Sequence, residues 1–250
     1  MGSSRLSRRE AERYNRQMII KGWGEEGQRK LKRAKVAVIG LGGLGSPASI
    51  YLAAAGVGKL LLVDEGEVEL SNLNRQILHW ERDVGKPKVE SAKEKIEELN
   101  PEVEVETLME KIGRDNVHDV VREVDLVVDG LDNFSSRVIV NRACVEEGKV
   151  FVHAGVYGFQ GQLTTIIPGK GPCLQCIFPR LPPEEGLIPV AGMTPGVMGC
   201  LEANEAVKVV TGIGEPLVGR LLIYDGEAGS FMVVDVGRDP DCPVCGKINL

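Results

Sequence analysis

The sequence lacks the features that mark several protein classes. It has no long block of basic residues and a formal net charge of −6, so a nucleic-acid-binding surface is disfavoured. The most apolar region, residues 34–63, is interrupted by glycines and by Lys35 and Lys59. It therefore fits strand, helix and strand better than a membrane span. The first residues are charged where a signal peptide would have an apolar core, so we expect a cytoplasmic protein.

Histidine is also scarce, with three in 250 residues. No Ser-His-Asp arrangement stands out, and no pair of carboxylates suggests a glycosidase. Apolar residues make up 43% of the chain and charged residues 26%, which is enough for a full hydrophobic core. The sequence contains no internal repeat, and we expect a single domain over residues 1–250.

Four of the six cysteines form two C-x-x-C pairs, Cys173 with Cys176 and Cys242 with Cys245. In a cytosolic chain such pairs favour metal or redox chemistry over structural disulfides. Four thiolates complete a tetrahedron with no open position, so we predict a structural zinc site. Two separate redox dithiols are the alternative. Cys144 lies in an apolar helical pattern, and we expect it in the core.

A glycine-rich turn is the strongest local motif. The β-branched run Val36–Ile39 ends at a glycine, and a small-residue helical pattern starts at Pro47. This order predicts strand, tight turn and helix, with a phosphate bound at the helix N-terminus. Gly40, Gly42 and Gly45 have the spacing G-x-G-x-x-G, and Gly43 is a further glycine within it. By itself this motif is typical of dinucleotide-binding Rossmann units.

Alternating strand and helix patterns continue to Ala154 and predict a parallel, doubly wound sheet. A second strand ends at Asp64, where Rossmann folds place a carboxylate on a ribose. From Gly155 onwards, glycines, prolines and alternating β residues predict an antiparallel extension. The expected order is N-terminal helices (1–34, with helices over 7–17 and 25–33), a nucleotide-binding half (35–154) and an antiparallel half (155–250) whose last helix starts near residue 199.

Polar side chains gather between two apolar segments at Ser71, Asn72, Asn74, Arg75 and Gln76. Amides can bind a base edge or phosphate-bound water, and arginine binds phosphate bidentately. His79 follows the cluster, and it is the histidine nearest to the presumed site.

A cation and two polar residues extend this region. Lys88 lies in the first turn of a helix predicted from about Asp83 to Leu99, where the helix dipole disfavours a cation and therefore suggests an anionic ligand. Asp132 and Asn133 follow the buried strand 124–129, at the sheet edge where α/β folds bind ligands. A helix is predicted after them, from about Ser136.

Taken together, these motifs resemble the MoeB/ThiF/HesA family, the bacterial and archaeal relatives of ubiquitin-activating enzymes. The resemblance extends from Arg13 to Cys245, and the Ser-Asn-Leu-Asn-Arg-Gln run of residues 71–76 is its most specific part. It implies a Rossmann-like α/β fold, a mostly parallel sheet continued by antiparallel strands, with a structural zinc site.

The resemblance implies an ATP-dependent adenylyltransferase. Such enzymes use MgATP to adenylate the C-terminal Gly-Gly carboxylate of a ubiquitin-like sulfur carrier and release pyrophosphate, serving molybdopterin, thiamine or tRNA thiolation. By resemblance, Asp64 holds the ribose and Asp132 binds Mg²⁺, while Arg16 reaches the partner subunit's ATP and so implies a homodimer. Arg16, Arg75, Lys88 and Asp132 would act in catalysis, and the nucleotide would also contact Gly40, Gly42, Gly43, Gly45, Ser71, Asn72, Asn74, Gln76 and Asn133.

The chain departs from this family in one loop. Many members have a cysteine there that receives the carrier covalently, but Ile188 occupies the matching position. Cys200 is the nearest cysteine, at a position expected at the start of a helix, and we do not transfer the role to it. We expect adenylation without a covalent cysteine intermediate. The chain ends without a rhodanese-type domain, so a separate sulfur donor is expected.

Three other functions are compatible with parts of the sequence. A HesA-like enzyme could adenylate a carboxylate on a modified tRNA base and cyclise it, although the acidic balance argues against tRNA. A non-catalytic module could recruit the carrier, but Arg75, Lys88 and Asp132 are all present. An NAD-dependent dehydrogenase is disfavoured by the cations on the phosphate side of the site.

Overall fold

The computed structural model describes residues 5–180, 186 and 188–246. Eight strands form one sheet in the order β3-β2-β1-β4-β5-β6-β7-β8. The first five strands pair in parallel, and β6, β7 and β8 continue the sheet antiparallel from β5. The predicted fold class is therefore confirmed. The strands are β1 Lys35–Ile39, β2 Lys59–Val63, β3 Glu104–Leu108, β4 Leu126–Asp129, β5 Val150–Tyr157, β6 Gln160–Ile166, β7 Arg220–Asp225 and β8 Ser230–Asp235.

Helices cover both faces of the sheet. Side chains alternate along β1, so Val36 and Val38 join one core cluster while Ala37 and Ile39 join the other. Among the described residues, no helix has the length and apolarity needed to cross a bilayer. The helices are α1 Arg8–Arg13, α2 Asn15–Met18, α3 Gly24–Arg33, α4 Gly45–Ala55, α5 Lys88–Leu99, α6 Val117–Arg122, α7 Phe134–Glu146, α8 Leu174–Ile177 and α9 Met193–Thr211.

The prediction of one helix over residues 7–17 is wrong, because this segment forms two short helices, α1 and α2, that are separated by Tyr14. The Tyr14 ring is buried, and its hydroxyl accepts a hydrogen bond from Asn100 Nδ2 at 2.8 Å. The break lets this side chain turn into the core. The next predicted helix, over residues 25–33, is confirmed as α3.

Other element boundaries also differ from the predictions. Helix α5 begins at Lys88 and not near Asp83, because Pro87 disfavours helical dihedrals at Lys86 before it. Helix α9 begins at Met193, six residues before the predicted start at Gly199, and so includes Pro195 in its first turn, where proline is tolerated. Helix α7 starts at Phe134 and not at Ser136, and α6 was not predicted.

The predicted boundary after Ala154 falls inside β5, which continues to Tyr157. Strands from both halves belong to one sheet, so this boundary marks the change from parallel to antiparallel pairing within it. The assignment of the chain to a single domain remains a prediction.

Strand β1 lies at the switch point of the sheet, with β2 on one side and β4 on the other. Ligands of open α/β sheets bind in the crevice at such a point. The turns after β1 and β4 touch there through glycine backbones. Gly40 has a φ of 91°, and a Cβ atom on Gly45 or Gly130 would overlap the Gly40 carbonyl oxygen. Only glycine allows this approach at all three positions.

Helix α9 packs across α4 through another glycine. A Cβ atom on Gly199 would overlap Leu44 O and lie 2.6 Å from Pro47 Cγ. Around Gly196, one turn earlier on the same helix, no described atom outside the neighbouring helix backbone lies within 4 Å of such a position. The two glycines form a matched pair for testing this contact.

We expect Gly199→Ala to lower the free energy of unfolding by about 1–3 kcal/mol, because the added methyl group overpacks the α4–α9 contact. Gly196→Ala should leave it unchanged or raise it by about 0.5–1 kcal/mol, since alanine favours a helix over glycine. Urea unfolding of both variants measures the difference. Equal stability of the two variants would contradict the close packing.

Candidate active site

The turn between β1 and α4 presents unused hydrogen-bond donors. The N–H groups of Gly42, Gly43 and Leu44 donate to no other residue in the described part of the chain. They lie at the N-terminus of α4, where the helix dipole favours negative charge. The turn therefore has the chemistry of a phosphate-binding site.

Asp64, at the end of β2, holds this turn. Its Oδ2 accepts a hydrogen bond from Leu41 N at 2.7 Å and its Oδ1 accepts one from Gly66 N at 2.8 Å. The carboxylate thus anchors the glycine turn from the neighbouring strand. Its predicted contact with a ribose remains a prediction.

The polar cluster of residues 71–76 lies against the glycine turn, and some of its members are already engaged. Asn72 is buried and its Oδ1 accepts from Glu69 N at 3.1 Å, which closes a short 3₁₀ turn. Arg75 Nη1 donates to Ser71 O at 3.0 Å and to Asn74 Oδ1 at 2.8 Å, but the guanidinium has no carboxylate partner among the described residues. Arg75 is therefore oriented without being neutralised.

Gln76 differs from its neighbours because its side-chain amide forms no hydrogen bond with any described residue. The side chain is 4% exposed, and its Oε1 accepts no hydrogen bond within the described structure. Its Nε2 lies 3.7 Å from where a Cβ of Gly42 would be. A buried polar atom without a partner beside a turn with free N–H groups fits a site that receives a polar ligand.

Lys88 is the first residue of α5 and so lies in its first turn, as the sequence predicted. Its Nζ lies beside Gly66, 3.5 Å from where a Cβ of that residue would be. No described residue forms an ion pair with it. A cation left unpaired at a helix N-terminus fits an anionic ligand in the crevice.

Asp132 follows β4 and is exposed. The backbone of Leu131, the preceding residue, is held on both sides. Its N–H donates to Asp129 Oδ1 at 3.0 Å, and its carbonyl oxygen accepts a hydrogen bond from Arg137. Asn133 caps α7 by accepting from Ser136 N at 2.8 Å and donates to Asp132 Oδ1 at 3.1 Å. The Asp132 carboxylate is thus held at the sheet edge and remains open to a cation.

Sequence reasoning missed a buried cluster of ionisable groups beneath this loop. His153 Nδ1 lies 2.6 Å from Asp129 Oδ2, and Arg137 Nε lies 3.1 Å from the same oxygen. Burial raises the pKa of Glu202 well above its usual value, which favours a neutral carboxyl group beside this cluster. These residues stand in apolar strand and helix patterns, where nothing local distinguishes them.

Arg16 does not join the other predicted residues. Its neighbour Gln17 donates to Ala55 O at 2.7 Å, at the last residue of α4. The glycine turn lies at the first residue of the same helix, and the ten residue steps from Gly45 to Ala55 span about 15 Å. Arg16 is exposed at the far end of α4 from the glycine turn of its own chain.

The loop before α9 is described only in part, since residues 181–185 and 187 lie outside the described residues. Ile188 is 51% exposed. Cys200 lies inside α9 and not at the start of a helix, which corrects the prediction, and burial raises the pKa of its thiol. A thiol with a raised pKa is a poor nucleophile at neutral pH. Cys144 is fully buried in the core, as predicted.

The two C-x-x-C pairs meet, as predicted, with all four Sγ atoms within 4.8 Å of one another. Cys173 Sγ lies 3.6 Å from Cys242 Sγ, and Cys176 Sγ lies 3.4 Å from Cys245 Sγ. Zinc with Zn–S bonds of about 2.3 Å separates its sulfurs by about 3.8 Å. The cluster therefore fits a closed zinc site, which would join the segment around α8 to residues 242–245.

Comparison with known proteins agrees with this geometry. Residues 14–244 match the ThiF family. The chain is 46% identical over 248 residues to the SAMP-activating enzyme E1 of Haloferax volcanii, covering 97% of this chain and 91% of that protein. It is 46% identical over 253 residues to the sulfur carrier protein adenylyltransferase of Thermus thermophilus, with coverage of 97% and 93%. It is 44% identical over 243 residues to the heterocyst HesA protein of Trichormus variabilis, with coverage of 97% and 91%.

A solved structure extends the comparison to the fold. The crystal structure of E. coli MccB with ATP superposes with a TM-score of 0.83 at 29% identity, covering 94% of this chain and 75% of that one. The fold, the crevice and these relatives define an ATP-dependent adenylyltransferase. The chain belongs to the ThiF family, and the resemblance seen in its motifs is confirmed.

We expect the purified protein to contain about one zinc ion per chain. Cys242→Ser should lose it and melt at a lower temperature, because the metal would no longer join the two segments. Metal analysis by mass spectrometry with a thermal melt measures both effects. Cys200→Ser is the matched control and should keep its zinc; undiminished zinc in Cys242→Ser would contradict the site.

Proposed function

We propose that the chain adenylates the C-terminal Gly-Gly carboxylate of a ubiquitin-like sulfur carrier with MgATP. The observation that carries the proposal is the composition of one crevice. The same sheet edge carries the free N–H groups of the glycine turn and the open carboxylate of Asp132. It also carries two cations that have no carboxylate partner among the described residues, Arg75 and Lys88. The names of the relatives from H. volcanii and T. thermophilus support the same reaction.

The reaction brings two anions together. A carboxylate oxygen of the carrier attacks the α-phosphorus, the bond from that phosphorus to the bridging oxygen breaks, and pyrophosphate leaves with the electron pair. No base is needed because the nucleophile is already ionised. The barrier falls mainly through positioning and through neutralisation of charge. Arg75 and Lys88 supply that charge from this chain.

The remaining predicted residues have roles consistent with their positions. Gly40, Gly42, Gly43 and Gly45 form the phosphate-binding turn, and Asp64 faces the ribose from the end of β2. Mg²⁺ would be held by Asp132 and would offset charge on the phosphates. Five polar residues at the edge of the crevice orient the charged side chains or contact the nucleotide. They are Ser71, Asn72, Asn74, Gln76 and Asn133.

A homodimer would complete the site. Arg16 is exposed and lies at the far end of α4 from its own glycine turn. An arginine in that place reaches a nucleotide only if the nucleotide belongs to another copy. In a two-fold symmetric dimer each chain would donate its Arg16 to its partner.

Adenylation would be the only covalent step on this enzyme. Ile188 replaces the cysteine of the loop, and Cys200 is an interior helix residue with a raised pKa. The sulfur would therefore come from a separate donor. The carrier would determine which pathway is served: molybdopterin synthesis, thiamine synthesis or tRNA thiolation. The relative named HesA favours a second function, the HesA-like activation of a carboxylate on a modified tRNA base.

The test is ATP–pyrophosphate exchange with candidate carriers that end in Gly-Gly, assayed one at a time. We expect exchange with one carrier, and loss of at least about a hundredfold in Asp132→Ala, since the proposed metal ligand is removed. Exchange that requires modified tRNA and no carrier would favour the HesA-like function instead.

A control separates the site from general loss of charge. Asp119 on α6 is 82% exposed in its side chain and is not a predicted site residue. Asp119→Ala should exchange at the wild-type rate. If Asp132→Ala also exchanges normally, the proposed ligand is wrong.

Mixed dimers test the contribution of Arg16 across subunits. Arg16→Ala and Lys88→Ala should each be inactive alone, while refolding an equal mixture should restore about a quarter of the wild-type rate, because half the dimers are mixed and each has one intact site. Arg9→Ala, a change of another exposed arginine, should be active without mixing. Inactive mixed dimers, verified by size and composition, would count against donation between subunits.

A further inference from the structure

His79 lies buried directly beneath the glycine turn and takes no part in the proposed chemistry of adenylation. The side chain is 3% exposed. Its Nε2 lies 3.0 Å from Leu41 O, and its Nδ1 lies 2.9 Å from Ser91 Oγ. The imidazole thus connects the first turn of α5 to the phosphate-binding turn.

These contacts define its protonation state. A carbonyl oxygen only accepts, so Nε2 must carry the proton and donate to Leu41 O. Nδ1 then accepts from the Ser91 hydroxyl, which itself accepts from Lys95 Nζ at 3.0 Å. Burial lowers the pKa of His79, which keeps the ring neutral at pH 7.

A buried ion pair fixes the far end of this chain of hydrogen bonds. Lys95 pairs with Asp83, and both are almost fully buried. Lys95 therefore cannot move away from Ser91 without breaking a buried ion pair, which is costly. The orientation of the imidazole is determined through Asp83, Lys95 and Ser91.

The contact with Leu41 O also sets the direction of a neighbouring donor. In a trans peptide the C=O and the following N–H point in opposite directions, and the described chain has no cis peptide. With Leu41 O held toward His79 and also accepting from Ser46 Oγ at 3.2 Å, the N–H of Gly42 must point away from them. That N–H has no partner among the described residues.

We propose that His79 is a positioning residue for phosphate: by holding Leu41 O it aims the Gly42 N–H into the crevice. This role rests on the proposed ATP-dependent function. It predicts that His79 affects the binding of the phosphates and leaves the binding of the nucleoside unchanged. A residue that merely stabilises the fold would affect both.

Three substitutions test this, with MgATP and adenosine titrated against the full-length protein. The amide nitrogen of glutamine is as many bonds from Cα as Nε2, so His79→Gln should stay within about threefold of the wild-type affinity for MgATP. The asparagine amide reaches only the place of Nδ1, so His79→Asn should bind MgATP about tenfold or more weakly, as should His79→Leu. Adenosine affinity should be the same in all four proteins.

The outcomes distinguish the possibilities. A folded His79→Asn protein with wild-type MgATP affinity overturns the role of His79, as does a parallel loss of MgATP and adenosine binding in all three variants. Thermal melts and zinc content of each variant monitor the fold. A wild-type protein that gains no affinity from the phosphates would instead refute the ATP-dependent function itself, and the role of His79 with it.

Discussion

The contact among the backbones of Gly40, Gly45 and Gly130 is the constraint on which the site depends. A Cβ atom on Gly45 or Gly130 would overlap the Gly40 carbonyl oxygen, and one on Gly40 would overlap Gly130. Because no side chain separates them, the turn after β1 and the loop after β4 meet at the switch point of the sheet. The free N–H groups near Gly42 and the carboxylate of Asp132 are thereby placed at one edge, where they can act on one ligand.

Each of these two loops is held by a pair of polar side chains, of which His79, Asp129 and Arg137 are buried and Asp64 is half-buried. Asp64 and His79 fix the N–H and C=O of Leu41, and Asp129 and Arg137 do the same for Leu131. Burying such groups costs free energy that their hydrogen bonds to the loop backbone offset. The result is a set of donors and a carboxylate oriented before any substrate arrives, which is the condition for electrostatic catalysis.

Local patterns predicted the parts of this arrangement that depend on neighbouring residues. The glycine spacing, the strand ends at Asp64 and Asp129 and the cation at Lys88 are readable because turn geometry and periodicity act over a few positions. The early start of α9, the break at Tyr14 and the buried group around Asp129 depend on contacts between distant segments. His153 and Glu202 stand in apolar stretches, and a sequence pattern does not show which polar residue within such a stretch finds a partner.

The charge balance of the crevice gives the proposed dimer a physical reason. Two side chains without carboxylate partners, Arg75 and Lys88, face the turn, and a triphosphate together with an incoming carboxylate carries more negative charge than they supply. Raising the number of cations within one chain would make them repel one another in the absence of ligand. In the proposed dimer, Arg16 at the opposite end of α4 would avoid that repulsion, because the arginine would meet the phosphates only where a second chain presents them. Dimerisation would then supply the positive charge that the fold of one chain leaves out.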